Sequence, residues 1–273
     1  MSNPDVVRYV VNRFGLRMNK KLGQNFLIRH AVVDDIAAAA ELKPGDPVLE
    51  IGPGIGTLTQ ALAETGAAVT AVELDDHLLP VLDKTLEHYD NVRVVHGDIM
   101  RIDIAETMNH KPFKVCANLP YYITTPIIMK LLEQKLPIEK IVVMVQKEVA
   151  ERLYAKPGTK DYGALSVWIQ SYVRVEWGFV VGPGAFNPPP KVKSAVIRLR
   201  RNATERLGCD ETLFVKVVKA SFGQRRKMIR NSLKSVFGDF GGAEHPFFTR
   251  RAEQLGVAEF VELTNWVSRF SIL

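Results

Sequence analysis

The feature that most constrains this chain is a buried apolar run that breaks into spaced glycines and resumes at helical spacing. Val48-Leu49-Glu50-Ile51 reads as a strand and Gly52-Pro53-Gly54-Ile55-Gly56 as a tight turn. Residues 57–65 then read as a helix, with Leu58, Ala61, Leu62 and Thr65 on one side. The alternation continues downstream. Residues 68–74 predict a second strand and 75–86 a helix that Asp75 or Asp76 can cap and that Pro80 either enters in its first turn or kinks. Residues 92–98 and 114–118 predict two more strands, the latter followed by a helix over 125–132 with Pro126 at a permitted N-terminal position. A fifth strand covers 139–146 and leads into the helical segment K-E-V-A-E-R-L-Y. Residues 173–181 and 194–200 read as strands on either side of a proline-rich loop. Strands that alternate with helices imply right-handed crossovers and a doubly wound, mostly parallel α/β sheet. The last two strands have no long helix between them, so one is expected to run antiparallel at the sheet edge. From about residue 207 the apolar spacing becomes wholly helical. The expected organisation is an α/β domain over residues 1–204, with a basic N-terminal segment, and a small all-helical domain over 205–273.

Composition narrows the classes. The 273 residues are 47% hydrophobic and 24% charged, ordinary for a globular protein large enough for one big domain and one small one. No run approaches the roughly 18 apolar residues of a membrane span, and M-S-N-P-D-V-V-R-Y-V has no signal-peptide pattern. A cytoplasmic protein without a membrane partner is expected. Cys116 and Cys209 lie far apart and give neither metal spacing nor a disulfide framework. Cys116, inside a predicted strand, reads as a small apolar thiol. The net charge is +6 and unevenly placed. Arg8, Arg13, Arg17, Lys20, Lys21 and Arg29 face one acid, Asp5, before residue 34, and Arg225, Arg226, Lys227, Arg230 and Lys234 crowd residues 220–238 without any acid. Such clusters suit a polyanionic partner or a solvated face.

Three successive strand ends carry recognisable chemistry. Gly52 and Gly54 allow a ligand close to the backbone, and the next helix begins with exposed amides that favour a negative group. By itself this turn suits a nucleotide, a dinucleotide, S-adenosylmethionine (SAM) or no ligand. Glu73 ends the second strand about twenty residues later, where a carboxylate can accept hydrogen bonds from ribose hydroxyls. The dinucleotide fingerprint wants a third glycine where Thr57 stands, which counts against a nicotinamide oxidoreductase. Asp98 ends the third strand and can accept from an adenine amino group, although it also suits a plain turn. Together the three suit SAM, whose sulfonium is positive and which has no phosphate for the carboxylates to repel.

The fourth strand ends in Asn118-Leu119-Pro120-Tyr121. An exocyclic base amine is a poor nucleophile because its lone pair is delocalised into the ring. An asparagine oxygen and a backbone carbonyl can accept both of its N–H bonds and stabilise the charge that develops as a methyl arrives. Proline presets the loop, and tyrosine can stack on a base that is unpaired or flipped out. No side-chain general base is required, since the product ammonium can lose its proton to water.

The chain resembles the ribosomal RNA adenine N6-dimethyltransferase family, in particular its bacterial small-subunit (16S) branch. The likeness runs through L-G-Q-N-F-L (22–27), E-I-G-P-G-I-G (50–56), V-E-L-D (72–75), G-D (97–98) and A-N-L-P-Y-Y-I-T-T-P (117–126). It continues through V-Q-K-E-V-A-E-R-L (145–153), Y-G-A-L-S-V (162–167), A-F-N-P-P-P-K-V-K-S-A-V (185–196) and F-G-Q-R-R-K (222–227). The resemblance implies a Rossmann-like, seven-stranded methyltransferase sheet. It implies a SAM site of Asn25, Leu27, Gly52, Gly54, Glu73, Asp98 and Asn118, with S-adenosylhomocysteine as product and no metal. It implies that Asn118 and the Leu119 carbonyl bind the target amine, with Pro120 setting the loop and Tyr121 and Phe186 stacking on either face of the adenine. The residues alone leave Phe186 open between that role and a core plug. The implied substrate is a pair of adjacent adenines near the 3′ end of 16S rRNA, each dimethylated within the small ribosomal subunit or its late precursor, by a monomeric enzyme. Arg225, Arg226, Lys227 and Arg230 would contact RNA phosphates, with Arg226 and Arg230 on one helical face, and Lys20, Lys21, Lys191 and Lys193 could widen that surface. Rival readings are a resistance methyltransferase acting on large-subunit rRNA and a non-catalytic factor of the mitochondrial transcription-factor kind. The segments at 185–196 and 222–227 favour the small-subunit branch over the first, and the intact Asn118–Tyr121 motif argues against the second.

Overall fold

The computed structural model describes residues 3–16, 23–202, 207–224 and 226–270. In chain order the α/β elements begin with α1 (Pro4–Arg13), β1 (Phe26–Leu27), α2 (His30–Ala39), β2 (Pro47–Ile51), α3 (Thr57–Glu64) and β3 (Ala68–Glu73). They continue with α4 (Leu79–Thr85), β4 (Val92–His96), α5 (Ile104–Thr107), β5 (Phe113–Asn118), α6 (Thr124–Glu133), β6 (Ile138–Gln146) and α7 (Lys147–Tyr154). Then come α8 (Ala164–Tyr172), β7 (Val173–Val181), β8 (Phe186–Asn187), β9 (Ser194–Arg201), α9 (Glu211–Gly223), α10 (Ile229–Phe237) and α11 (Val257–Val267).

Seven strands form one sheet in the order β4-β3-β2-β5-β6-β9-β7. The pairings among β4, β3, β2, β5 and β6 are parallel, and β9 runs antiparallel to β6. The expected antiparallel strand is therefore present but not at the edge. The chain travels out to the edge as β7 and returns inward as β9. β2, β3 and β5 are almost continuously buried, as parallel strands covered by helices must be. Strand order reverses between β2 and β5. That is the switch point of a doubly wound sheet, where the loops leaving neighbouring strands part and open a crevice. Gly52 leaves β2 and Asn118 ends β5 on either side of it.

Two local details differ from the sequence reading. The helix expected over 75–86 is a single 3-10 turn followed by the short α4, because the Asp75 carboxylate accepts from the His77 amide (3.1 Å) and starts a separate turn. A small antiparallel ladder, Phe26 with Asn187 and Leu27 with Phe186, also went unread. Two-residue strands that pair across the whole domain leave no periodicity to detect.

The chain forms two compact units, Met1–Ala150 with Glu176–Arg200, and Glu151–Val175 with Arg201–Leu273. The second unit thus takes in α8, which the expected boundary at 204/205 left with the sheet; that boundary itself lies outside the described residues. The reason is visible in its core. Tyr162 and Val167 are buried among Phe214, Leu233, Phe248 and Phe260, and the Tyr162 hydroxyl donates to the Leu255 carbonyl (2.8 Å). In the first unit, α2 and α3 cover the sheet through Val33, Ile36, Leu58 and Leu62. Among the described residues no helix is long and apolar enough to cross a membrane. Cys116 is wholly buried, and burial pushes its thiol well above the ordinary range.

Candidate active site

The crevice at the switch point is a cavity walled by loops from four strand ends. Gly52, Gly54, Glu73, Asp98, Asn118, Leu119, Pro120 and Tyr121 all line it, and Asn25 and Leu27 join them from the N-terminal segment. Ten residues named from sequence are thereby brought together.

The glycine turn is shaped for close packing. Gly54 has φ +61°, and a Cβ on it would come within 3.0 Å of the Phe26 ring. Only glycine meets both demands without displacing β1. Gly52 faces the opposite wall, where a Cβ would meet the Pro120 ring at 3.9 Å. The glycine turn and the loop after β5 therefore approach one another across the cavity.

Glu73 is buried at the end of β3 and accepts three backbone amides: Gly54 (3.2 Å), Leu74 (2.9 Å) and Asp75 (2.8 Å). Burial raises its pKa and those amides partly offset the rise. They also fix the direction of the carboxylate. Asp98 accepts the Met100 amide (2.9 Å) through one oxygen, and its other oxygen lies 3.5 Å from the exposed Arg101 side chain.

Glu50 also lines the cavity and was not singled out from sequence. It is 1% exposed, and its Oε2 has no hydrogen-bond partner among the described residues. Burial, with a smaller push from Glu73, raises its pKa to about 8. An acid inside an otherwise apolar strand was the signal that could have found it.

The Asn118 side-chain nitrogen donates to the Asn25 carbonyl at 3.4 Å, a long bond. The Leu119 amide donates to the Met144 carbonyl (3.0 Å) and the Thr124 hydroxyl to the Pro120 carbonyl (2.9 Å). Tyr121 is half-buried, with its hydroxyl 2.5 Å from that of Ser194. Backbone and side-chain bonds thus hold the loop from both ends.

Phe186 is the exception among the expected site residues. It is 2% exposed, packs in the core with Leu27, Val33 and Ala185, and does not line the cavity. In this placement the ring packs in the core and not on the cavity, as the core-plug alternative would have it. The basic residues need a correction too. α10 begins at Ile229, so Arg226 precedes the helix and shares no helical face with Arg230. Arg226 and Lys227 are exposed, while Arg230 meets Glu244 at 2.5 Å, an acid remote in sequence. Lys191 and Lys193 are exposed; Lys20, Lys21 and Arg225 lie outside the described residues.

The chemistry of the lining tests which cofactor fits. It carries three carboxylic side chains, Glu50, Glu73 and Asp98, and among the described residues no lysine, arginine or histidine. Phosphates would be repelled here, whereas an adenosyl group bearing a sulfonium is matched in charge and in hydrogen bonding.

Residues 15–266 match the family model described as ribosomal RNA adenine dimethylase. A protein of Alkaliphilus metalliredigens called ribosomal RNA small subunit methyltransferase A is 43% identical, over 97% of this chain and 97% of its own. One of the same name from Lactiplantibacillus plantarum is 44% identical, over 100% of this chain and 98% of its own. Among solved structures, a dimethyladenosine transferase from Plasmodium falciparum superposes with a TM-score of 0.78 at 26% identity, covering 90% of this chain and 98% of that one. The 23S rRNA methyltransferase ErmE superposes with a TM-score of 0.65 at 31% identity, covering 87% and 100%.

Proposed function

The chain belongs to the ribosomal RNA adenine dimethylase family, and from that premise we propose that it dimethylates the N6 amines of two adjacent adenines near the 3′ end of 16S rRNA. Its reaction class is SAM-dependent methylation of rRNA adenines. The proposed substrate is the small ribosomal subunit or its late precursor, and the proposed setting is the cytoplasm, with the protein acting as a monomer and without a metal. The observation that carries the reading is the convergence of Gly52, Glu73, Asp98 and the Asn118–Tyr121 loop on one acidic cavity that, among the described residues, carries no cationic side chain.

In this reading Glu73 receives the ribose hydroxyls and Asp98 the adenine amino group of the cofactor, with Asn25, Leu27, Gly52 and Gly54 completing the pocket. Bound SAM supplies an electrophilic methyl on a sulfonium. Asn118 commits its nitrogen to Asn25, which leaves its oxygen as an acceptor. That oxygen and the Leu119 carbonyl accept the two N–H bonds of the target amine. They draw its lone pair out of the ring and stabilise the charge that forms. Pro120 holds the loop, and Tyr121, steadied by Ser194, stacks on the flipped base. The proton leaves to water; the monomethylated amine keeps one N–H, so in the second transfer one of the two acceptors holds it while the lone pair attacks the next methyl. Arg226, Lys227 and Arg230, with Arg225, are proposed phosphate contacts.

One observation favours a second reading. The likeness to a large-subunit enzyme covers most of the chain. The identity to small-subunit enzymes is higher and spans nearly all of it, so the first reading leads. Incubation with labelled SAM and unmethylated small subunits, with large-subunit RNA in parallel, decides between them. Label in 16S rRNA is expected, and label only in 23S rRNA would replace this reading with the second.

A further inference from the structure

Two tyrosines follow Pro120, and they go to different places. Tyr121 is tied to Ser194 at the start of β9. Tyr122 is 53% exposed yet still lines the cavity. Its ring faces the N-terminal segment: a Cβ on Gly23 would lie 3.8 Å from Tyr122 Cδ1. The neighbouring Gln24 bonds Asp75 at 2.7 Å, just beyond Glu73. Tyr122, Gly23-Gln24 and the Glu73–Asp75 turn therefore form one rim, on the cofactor side of the cavity. The negative charges of Asp98 and Glu73 reach the Tyr122 phenol and, after burial, help to hold its pKa above the ordinary range.

A single exposed aromatic needs no explanation on a protein surface. Here its position favours one occupant over another. A second RNA base stacked on Tyr122 would bring its phosphate toward the carboxylates of Asp98 and Glu73, which disfavour it. An adenosyl group that those same carboxylates would hold carries no phosphate and meets no such repulsion beside the ring.

We propose that Tyr122 is a cofactor-binding residue whose ring covers the adenosyl group of SAM, and of S-adenosylhomocysteine, at the cavity mouth. The inference rests on the SAM reading of the cavity. The ring contributes stacking surface and narrows the exit, so it slows release of both cofactor and product. The hydroxyl remains at the water edge and is dispensable.

Calorimetric titration of SAM and S-adenosylhomocysteine into the wild type, Tyr122→Phe and Tyr122→Ala tests this, alongside the KM of each for small subunits. Tyr122→Ala should raise both dissociation constants by about tenfold or more, as loss of an aromatic–base stack does. Tyr122→Phe should bind as the wild type does, and KM for the subunit should stay nearly constant. Unchanged cofactor affinity in Tyr122→Ala would overturn the inference, the more so if KM for the subunit rose instead. A wild type that binds no SAM would sink the reading of the cavity itself. Because Tyr122 is half outside the fold, matching melting curves should separate lost binding from lost structure.

Discussion

The hydroxyls of Tyr121 and Ser194 lie 2.5 Å apart, which ties the loop after β5 to the first residue of β9. Ser194 pairs with Gln146 at the end of β6, so the tie spans β6 and joins the ends of the two strands that flank it. It fixes the ring that the proposed mechanism stacks on adenine. Tyr121→Phe loses one hydrogen bond, about 1 kcal/mol, and should lower kcat/KM by about fivefold. Tyr121→Ala also loses the stack, about 1–3 kcal/mol more. Steady-state rates on small subunits check the order; equal losses in the two variants would remove stacking from the account.

From its placement, Phe186 is expected to act through stability. Its ring is buried against Leu27 and Val33, and truncation of such a ring costs about 3–5 kcal/mol. Phe186→Ala should therefore melt well below the wild type, while Phe186→Leu should keep most of both stability and turnover. A Phe186→Ala protein that melted normally but turned over poorly would restore the stacking role.

Glu50 makes stability depend on pH. In the fold it keeps its proton to about pH 8, whereas its ordinary value is 4.5. Between those values the folded state binds more protons than the unfolded chain, so stability falls as pH rises and levels off above about 8. The amount is a few kcal/mol at most. Melting curves of the cofactor-free protein at pH 5 and pH 8 should show the decline, and Glu50→Gln should flatten it. An identical decline in Glu50→Gln would assign it to other groups.

Arg226 and Arg230 should differ in their effect on ribosomal-particle binding. Arg230 is already paired with Glu244, although an exposed pair of this kind holds it only weakly. Arg226→Ala should weaken particle binding and reduce its salt dependence by about one phosphate contact. Arg230→Ala should do so less, and neither should change SAM affinity. Unchanged binding in both variants across several salt concentrations would take this segment out of the interface.

The sheet and most of the cavity were legible because each rests on a local signal. Gly52, Glu73, Asp98 and Asn118 each end an apolar run, and strand–helix alternation alone carries those ends to one edge. What was not legible depends on partners remote in sequence. Leu27 and Phe186 meet in a two-residue ladder, which turns Phe186 inward, and Glu244 meets Arg230 from beyond α10. That residues 151–175 join the helical unit was not legible, because Tyr162 reaches Leu255, a contact that no window of sequence contains. Glu50 did carry a local signal, an acid within V-L-E-I, but its burial and the lack of a partner for its Oε2 among the described residues show only in the fold.

The central claim is that Asn118 joins the cofactor cavity to the target amine. The most direct measurement is single-turnover methyl transfer to small subunits by Asn118→Ala, with SAM affinity measured on the same preparation. The account predicts a loss of at least a hundredfold in the transfer rate, the scale of a removed transition-state contact, with SAM still bound measurably. Near-normal transfer would contradict it, and the carboxamide would then have no part in the chemistry.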